Sequence, residues 1–114
     1  MRHEMTLFPR PYASIASGQK TIELRLYDEK RQSIQIGDQI RFTNTEDASQ
    51  TTLCEVVGLH VFKDFRELYE KLPLLQCGYT PEDVDNAHPD DMLTYYSKEK
   101  QAQYGVVGIE LKRI

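Results

Sequence analysis

Lys20, Thr21, Glu23 and Arg25 bring an ammonium, a hydroxyl, a carboxylate and a guanidinium together in one short stretch, Gly18-Gln-Lys-Thr-Ile-Glu-Leu-Arg25. Arg25 can grip a phosphate or a base edge through two parallel N–H bonds, with Glu23 orienting it or accepting from a base amino group. Lys20 can meet a phosphate or, where partly desolvated, activate a neighbouring hydroxyl. In an enzyme, Lys20 and Glu23 would be the catalytic pair, with Glu23 or a later glutamate as general acid or base. The same residues also have ordinary roles. Lys20, just beyond Gly18, complements the negative end of a helix dipole, worth ~0.3–1 kcal/mol. An outward Glu23–Arg25 row makes surface pairs of ~0–1 kcal/mol.

Aromatic residues add a second chemistry. The chain has seven tyrosines, four phenylalanines and no tryptophan. Exposed rings hold single-stranded nucleic acid by stacking, at ~1–3 kcal/mol per base. Tyr12, near the charged stretch, and Tyr79, in the later insert with Tyr95 and Tyr96, are the expected stacking residues. Their ordinary role is half-buried core with the hydroxyl at the surface. His3, His60 and His88 are far apart, and Cys54 and Cys77 lack metal-type spacing. Asp83, Asp85, Asp90 and Asp91 lack the glycine and closing glutamate of a calcium loop. No metal and no cofactor is expected.

These groups need elements to position them. Ile22, Leu24 and Leu26 alternate with Thr21, Glu23, Arg25 and Tyr27, the pattern of a half-buried strand over about 20–27. Before it, a short strand over 5–8 gives way to a helix with Pro11 in its first turn, ending at Gly18. Tyr12, Ile15 and Ala16 share one face of that helix. Residues 28–33 read as an exposed connection, 39–43 as a strand after a Gly37-Asp38 turn, and 44–50 as a surface loop. A long strand follows over 51–62, with a bulge or bend at Gly58. Phe65, Leu68, Tyr69 and Leu72 repeat at helical spacing behind an Asp64 cap and before Pro73. Thr80-Pro81 and Pro89 read as two further helix starts. Val107, Ile109 and Leu111 alternate in a last strand. Strands that surround a helical insert, with bends at glycines, favour a curled sheet or small barrel over a Rossmann-type order.

With 114 residues the chain suits one domain over 1–114. No apolar run reaches bilayer length and the N-terminus is polar, so neither a membrane span nor a signal peptide is expected. Free thiols in a cytoplasmic protein follow from the cysteine count. The net charge of -4 and pI near 5.3 argue against a long electrostatic groove for duplex nucleic acid. A cleft that takes one nucleoside or a short single strand is compatible with them. A protein partner also fits the negative charge. Nothing in the sequence bears on oligomeric state.

Gly18-x-Lys-x-Ile-Glu-x-Arg25, Ile36-Gly-Asp-x-Ile-x-Phe42 and Tyr104-Gly-Val-x-x-Ile109 together resemble the ASCH (activating signal cointegrator homology) domain family. The resemblance spans nearly the whole chain. It implies an α+β, PUA-like fold: a small mixed β-barrel with a helix at its mouth and a helical insert before the last strand. It also implies a cleft lined by the first motif and binding of RNA or a nucleoside. The expected ligand-binding residues are Lys20, Thr21, Glu23 and Arg25 of that motif, with Tyr12 and Tyr79 added for their rings. One branch of the family hydrolyses acetylcytidine, and other members are reported as ribonucleases. Lys20 matches the catalytic lysine of the amidohydrolase branch. That branch places a threonine nucleophile three residues on, where this chain has Glu23. It also uses a glutamate from the insert, where this chain has Gln76, with Glu70 and Glu82 further off.

Overall fold

Alternation of buried and exposed residues builds the first edge of the sheet. β1 (Arg2–Leu7) buries His3, Met5 and Leu7 and exposes the residues between them. The computed structural model describes residues 1–114. α1 (Pro9–Ser17) starts on two prolines, whose missing N–H groups fall in a first turn that leaves such groups unpaired anyway. It stops at Gly18, whose φ of 87° is a left-handed conformation that suits glycine. β2 (Ile22–Leu26) follows, then a single-turn helix α2 (Glu29–Gln32), capped by the Asp28 carboxylate. β3 (Gln39–Asn44) turns directly into β4 (Asp47–Phe62). α3 (Phe65–Lys71) is capped by Asp64, whose carboxylate accepts the Glu67 N–H at 2.9 Å. Short 3-10 turns occupy Leu74–Cys77, Val84–Asn86 and Pro89–Thr94. α4 (Lys98–Tyr104) and β5 (Val106–Arg113) complete the chain.

The strands form one sheet in the order β1-β3-β4-β5-β2. β1 and β3 are parallel, and the other neighbours are antiparallel. β4 is long enough to pair with β3 along its first half and with β5 along its second. Its register with β5 slips between Val56 and Gly58, as the glycine predicts. The sheet therefore curls, and its concave face closes over Ile40, Phe42, Val56, Val107 and Ile109, with Ile15 of α1 plugging one end. A second core lies on the convex face. There Ile22, Leu24, Leu26 and Val106 pack under Phe65, Leu68 and Met92. Complete burial of Phe65 and Leu68 contributes ~1.5–3 kcal/mol each. β2 is thus buried on both faces, and this decides the environment of its charged residues.

Three expectations are corrected. Residues 47–50 are strand: the β3–β4 hairpin turns at Thr45 and Glu46, Asp47 pairs with Asn44, and the register slips before Thr51 pairs with Thr43, so these exposed residues extend β4 as an irregular start. Residues 28–33 contain α2. The start at Thr80 does not become a helix: the Asp83 carboxylate accepts the Thr80 N–H at 2.6 Å, which makes a local turn.

Candidate functional site

Glu23 pairs in register with Ile109, and Arg25 with Val107, so both carboxylate and guanidinium point to the concave side of the sheet. The segment leading to them is tied at each step. The Gly18 N–H donates to Ile15 O at 3.1 Å, Lys20 N–H to Ser14 O at 3.0 Å, and Thr21 N–H to Gln76 O at 2.9 Å. Gln19 crosses to the insert, donating from Nε2 to Tyr79 O at 3.0 Å.

The three charged groups meet. Lys20 Nζ lies 2.8 Å from Glu23 Oε1, and Arg25 Nε donates to Glu23 Oε2 at 2.7 Å. Glu23 is only 3% exposed. Burial pushes its pKa up, but the Lys20 and Arg25 charges and their hydrogen bonds outweigh that and hold it below the ordinary carboxylate range. Burial likewise works against the Arg25 charge, and Glu23 more than restores it. Glu23 is therefore a fixed anion with both oxygens engaged. It orients two cations and leaves the cluster itself with one positive charge, while Arg10, Asp83 and Asp91 elsewhere on the lining bring the cleft as a whole to neutrality.

What they face is a cleft of about 720 Å³, a size within the range of small-molecule sites. It opens where β1 and β2, the two edges of the curled sheet, fail to pair. Arg25 bridges that seam, donating from Nη2 to Thr6 O at 2.9 Å. Arg10 and Ser14 of α1 form one wall, and Tyr79, Asp91, Tyr95 and Tyr96 of the insert form the other. Gly78, at φ 112°, packs against the Lys20 stem, where a Cβ would lie 3.3 Å from Cδ.

Tyr79 lines the cleft, but its hydroxyl is occupied. It donates to Asp91 Oδ2 at 2.6 Å and lies 2.7 Å from the Tyr69 hydroxyl. Burial and the Asp91 hydrogen bond raise its pKa well above that of free tyrosine. Burial pushes Tyr69 up to about 12. The Cys77 thiol also lines the cleft, and burial, against the opposing Lys20 charge, pushes it up to about 11. It is a neutral thiol at pH 7 and a poor nucleophile.

Two residues expected at the site lie elsewhere. Tyr12 is a core residue, 8% exposed, whose hydroxyl accepts from Thr52 Oγ1 at 3.0 Å. The helical spacing that groups it with Ile15 turns it inward. Thr21 precedes the first residue of β2, so its side chain escapes the alternation. It borders a separate cavity of about 260 Å³, and its hydroxyl donates to Gln76 Oε1 at 3.4 Å. Phe8, Arg10 and Tyr95 border the cleft as well. Only an exposed Phe beside Pro9 could have drawn attention to Phe8 in the sequence. The histidines take local partners: His3 with Asp38 at 2.8 Å, His60 with Glu110 at 2.9 Å, and His88 with the Asp90 N–H at 3.0 Å. No group of three or more His, Cys, Asp or Glu side chains stands together as a metal-ligand set.

A five-stranded curled mixed sheet with helices packed on it is an α+β fold of the PUA-like class. The chain belongs to the ASCH domain family, whose model matches residues 5–114. It is similar over its full length to the crystal structure of protein PH0355, at 33% identity, TM-score 0.81 and complete coverage of both chains. The solution structure of protein PF0455 from Pyrococcus furiosus is 32% identical, with TM-score 0.73 and coverage of 100% of this chain and 98% of that one. ASCH from Zymomonas mobilis shares the fold at 13% identity and TM-score 0.67, covering 97% of this chain and 66% of that one. No curated protein matches the chain. ASCH domains are a PUA-like family often linked to RNA binding. No helix here is long and apolar enough to cross a membrane.

Proposed function

We propose that the seam cleft binds RNA or a nucleoside, holding one nucleotide unit against Lys20 and Arg25 while Glu23 keeps both cations in place. The observation that carries this reading is the buried Lys20–Glu23–Arg25 cluster at a cleft of about 720 Å³. A phosphate or the acceptor edge of a base complements the positive charge of the Lys20–Glu23–Arg25 cluster. The acidic pI fits a small footprint better than a duplex groove. The two buried free thiols, Cys54 and Cys77, support a reducing, cytoplasmic setting.

A hydrolase of modified nucleosides has less support. Glu23 is held ionised and has no proton to donate at neutral pH, and Thr21 borders a different cavity. The test is a calorimetric titration with nucleosides, nucleotides and short single-stranded RNAs. Lys20→Ala and Arg25→Ala should each weaken binding by about ten- to a hundredfold, since each removes a charge-assisted contact of ~1.5–3 kcal/mol. Unchanged affinity for every ligand would overturn the reading. Turnover of acetylcytidine or RNA that disappears in Lys20→Ala would favour the hydrolase instead.

A further inference from the structure

Phe8 and Tyr95 are the two large aromatic side chains on the cleft lining that the fold leaves mostly in solvent, at 60% and 57% exposure. They come from opposite walls. Phe8 is the residue before α1 on the β1 side, and Tyr95 follows the last 3-10 turn of the insert. The other cleft tyrosines are committed to packing: Tyr69 and Tyr79 meet edge to face, and Tyr96 stacks on Phe65 at 6.1 Å between ring centres. Tyr95 touches Tyr96 at a tilt, 6.3 Å between centres, and still leaves 57% of its surface in solvent. Neither Phe8 nor Tyr95 belongs to either hydrophobic core.

Phe8 occupies the N-cap of α1 and makes no side-chain capping bond. Pro9 and Pro11 bring no N–H to the first turn, so the position asks little of a capping side chain. The fold keeps an exposed aromatic ring there, beside the Lys20–Glu23–Arg25 cluster. Arg10, one residue into the same helix, adds a further positive charge on that wall.

We infer that Phe8 and Tyr95 are stacking platforms for the bases flanking the nucleotide held in the cleft, so that the ligand is a single-stranded RNA segment rather than a free nucleoside. This rests on the nucleotide-binding reading of the cleft and narrows its ligand class. Stacking accepts any base, so the rim adds affinity with little sequence preference. It also predicts a division of labour. Lys20 and Arg25 supply the salt-sensitive part of binding, and the two rings supply a part that salt leaves nearly unchanged.

The experiment compares a mixed-sequence single-stranded RNA of about eight nucleotides with the four nucleoside 5′-monophosphates. Affinities are measured by fluorescence anisotropy for the RNA and by calorimetry for the monophosphates, at two salt concentrations. Phe8→Ala and Tyr95→Ala should each weaken RNA binding about tenfold at both salt concentrations and change monophosphate affinity less than about twofold. Tyr95→Phe should retain RNA affinity. Phe8→Ser should weaken RNA binding while leaving Tm nearly unchanged, because the Phe8 ring belongs to neither core. Unchanged RNA affinity in Phe8→Ala and Tyr95→Ala, with Lys20→Ala and Arg25→Ala still impaired, overturns the stacking role and leaves the nucleotide cleft standing. Equal losses for monophosphates and RNA also overturn it, since the rings would then belong to a nucleoside pocket. RNA and monophosphates both failing to bind wild-type protein overturns the cleft reading itself.

Discussion

Replacing Glu23 by glutamine keeps the shape of the side chain and removes the charge between two cations. In the wild type Glu23 is 3% exposed, and the side chains of its partners Lys20 and Arg25 are 11% and 16% exposed. Breaking a buried pair by removing one partner costs ~3–5 kcal/mol, because the remaining charge loses its counter-ion out of water. Two features reduce that figure. The glutamine carbonyl still accepts one hydrogen bond, and both cations keep some contact with water through the cleft. A loss of ~2–4 kcal/mol is expected, which lowers Tm by roughly 8–16 °C for a domain of this size. Thermal and urea unfolding followed by circular dichroism at pH 7 measure it. The pH dependence gives an independent check. The folded-state pKa of Glu23 is lowered from 4.5, so its stabilising contribution is full above that value. It is lost as pH falls through the lowered folded pKa. Wild-type Tm should therefore fall in acid with a component that Glu23→Gln lacks. A drop in Tm below about 2 °C at pH 7, or identical acid profiles for the two proteins, would refute the buried-pair argument.

Gly105 has a φ of 72°, and a Cβ there would lie 2.9 Å from the carbonyl oxygen of Phe62. Gly105→Ala should cost at least ~1–3 kcal/mol, seen as a lower urea midpoint with unchanged slope; a midpoint equal to wild type would contradict that geometry. Alkaline absorbance titration should resolve the tyrosines into groups. Tyr69, at about 12, and Tyr79, higher still through burial and its bond to Asp91, should remain protonated after the exposed rings have ionised. A single transition of all seven tyrosines near pH 10 would show that the Tyr69–Tyr79–Asp91 contacts do not form.

Much of the fold was legible because its strands alternate. Ile22, Leu24 and Leu26 announce β2, Val107, Ile109 and Leu111 announce β5, and Gly58 marks the bend of β4. Polar elements were not legible. Asp47 to Gln50 are exposed and enter β4 only because the hairpin carries them, so no periodicity betrays them. α4 has a single buried residue, Gln101, which leaves no apolar stripe to read. The site divides in the same way. Spacing placed Lys20, Glu23 and Arg25 close together in the chain, but it could not say that the sheet curls far enough to enclose the concave side of β2 as well as its Ile22–Leu24–Leu26 side. That closure turns a charged row with an ordinary surface role into a buried cluster. Tyr12 shows the converse. Proximity in sequence to the motif suggested a ligand contact, whereas its helical phase with Ile15 already pointed to the core.

The central claim is that the open seam between β1 and β2 is where ligand binds. An amide-resolved NMR titration of the whole chain with single-stranded RNA tests it most directly. The account predicts shifts concentrated at Thr6 to Arg10, Lys20 to Arg25 and the Cys77 to Tyr96 insert. Shifts gathered instead on the turn at Gln35 to Asp38, which lies at the other end of β1 and β3 and contributes nothing to the cleft lining, would contradict it.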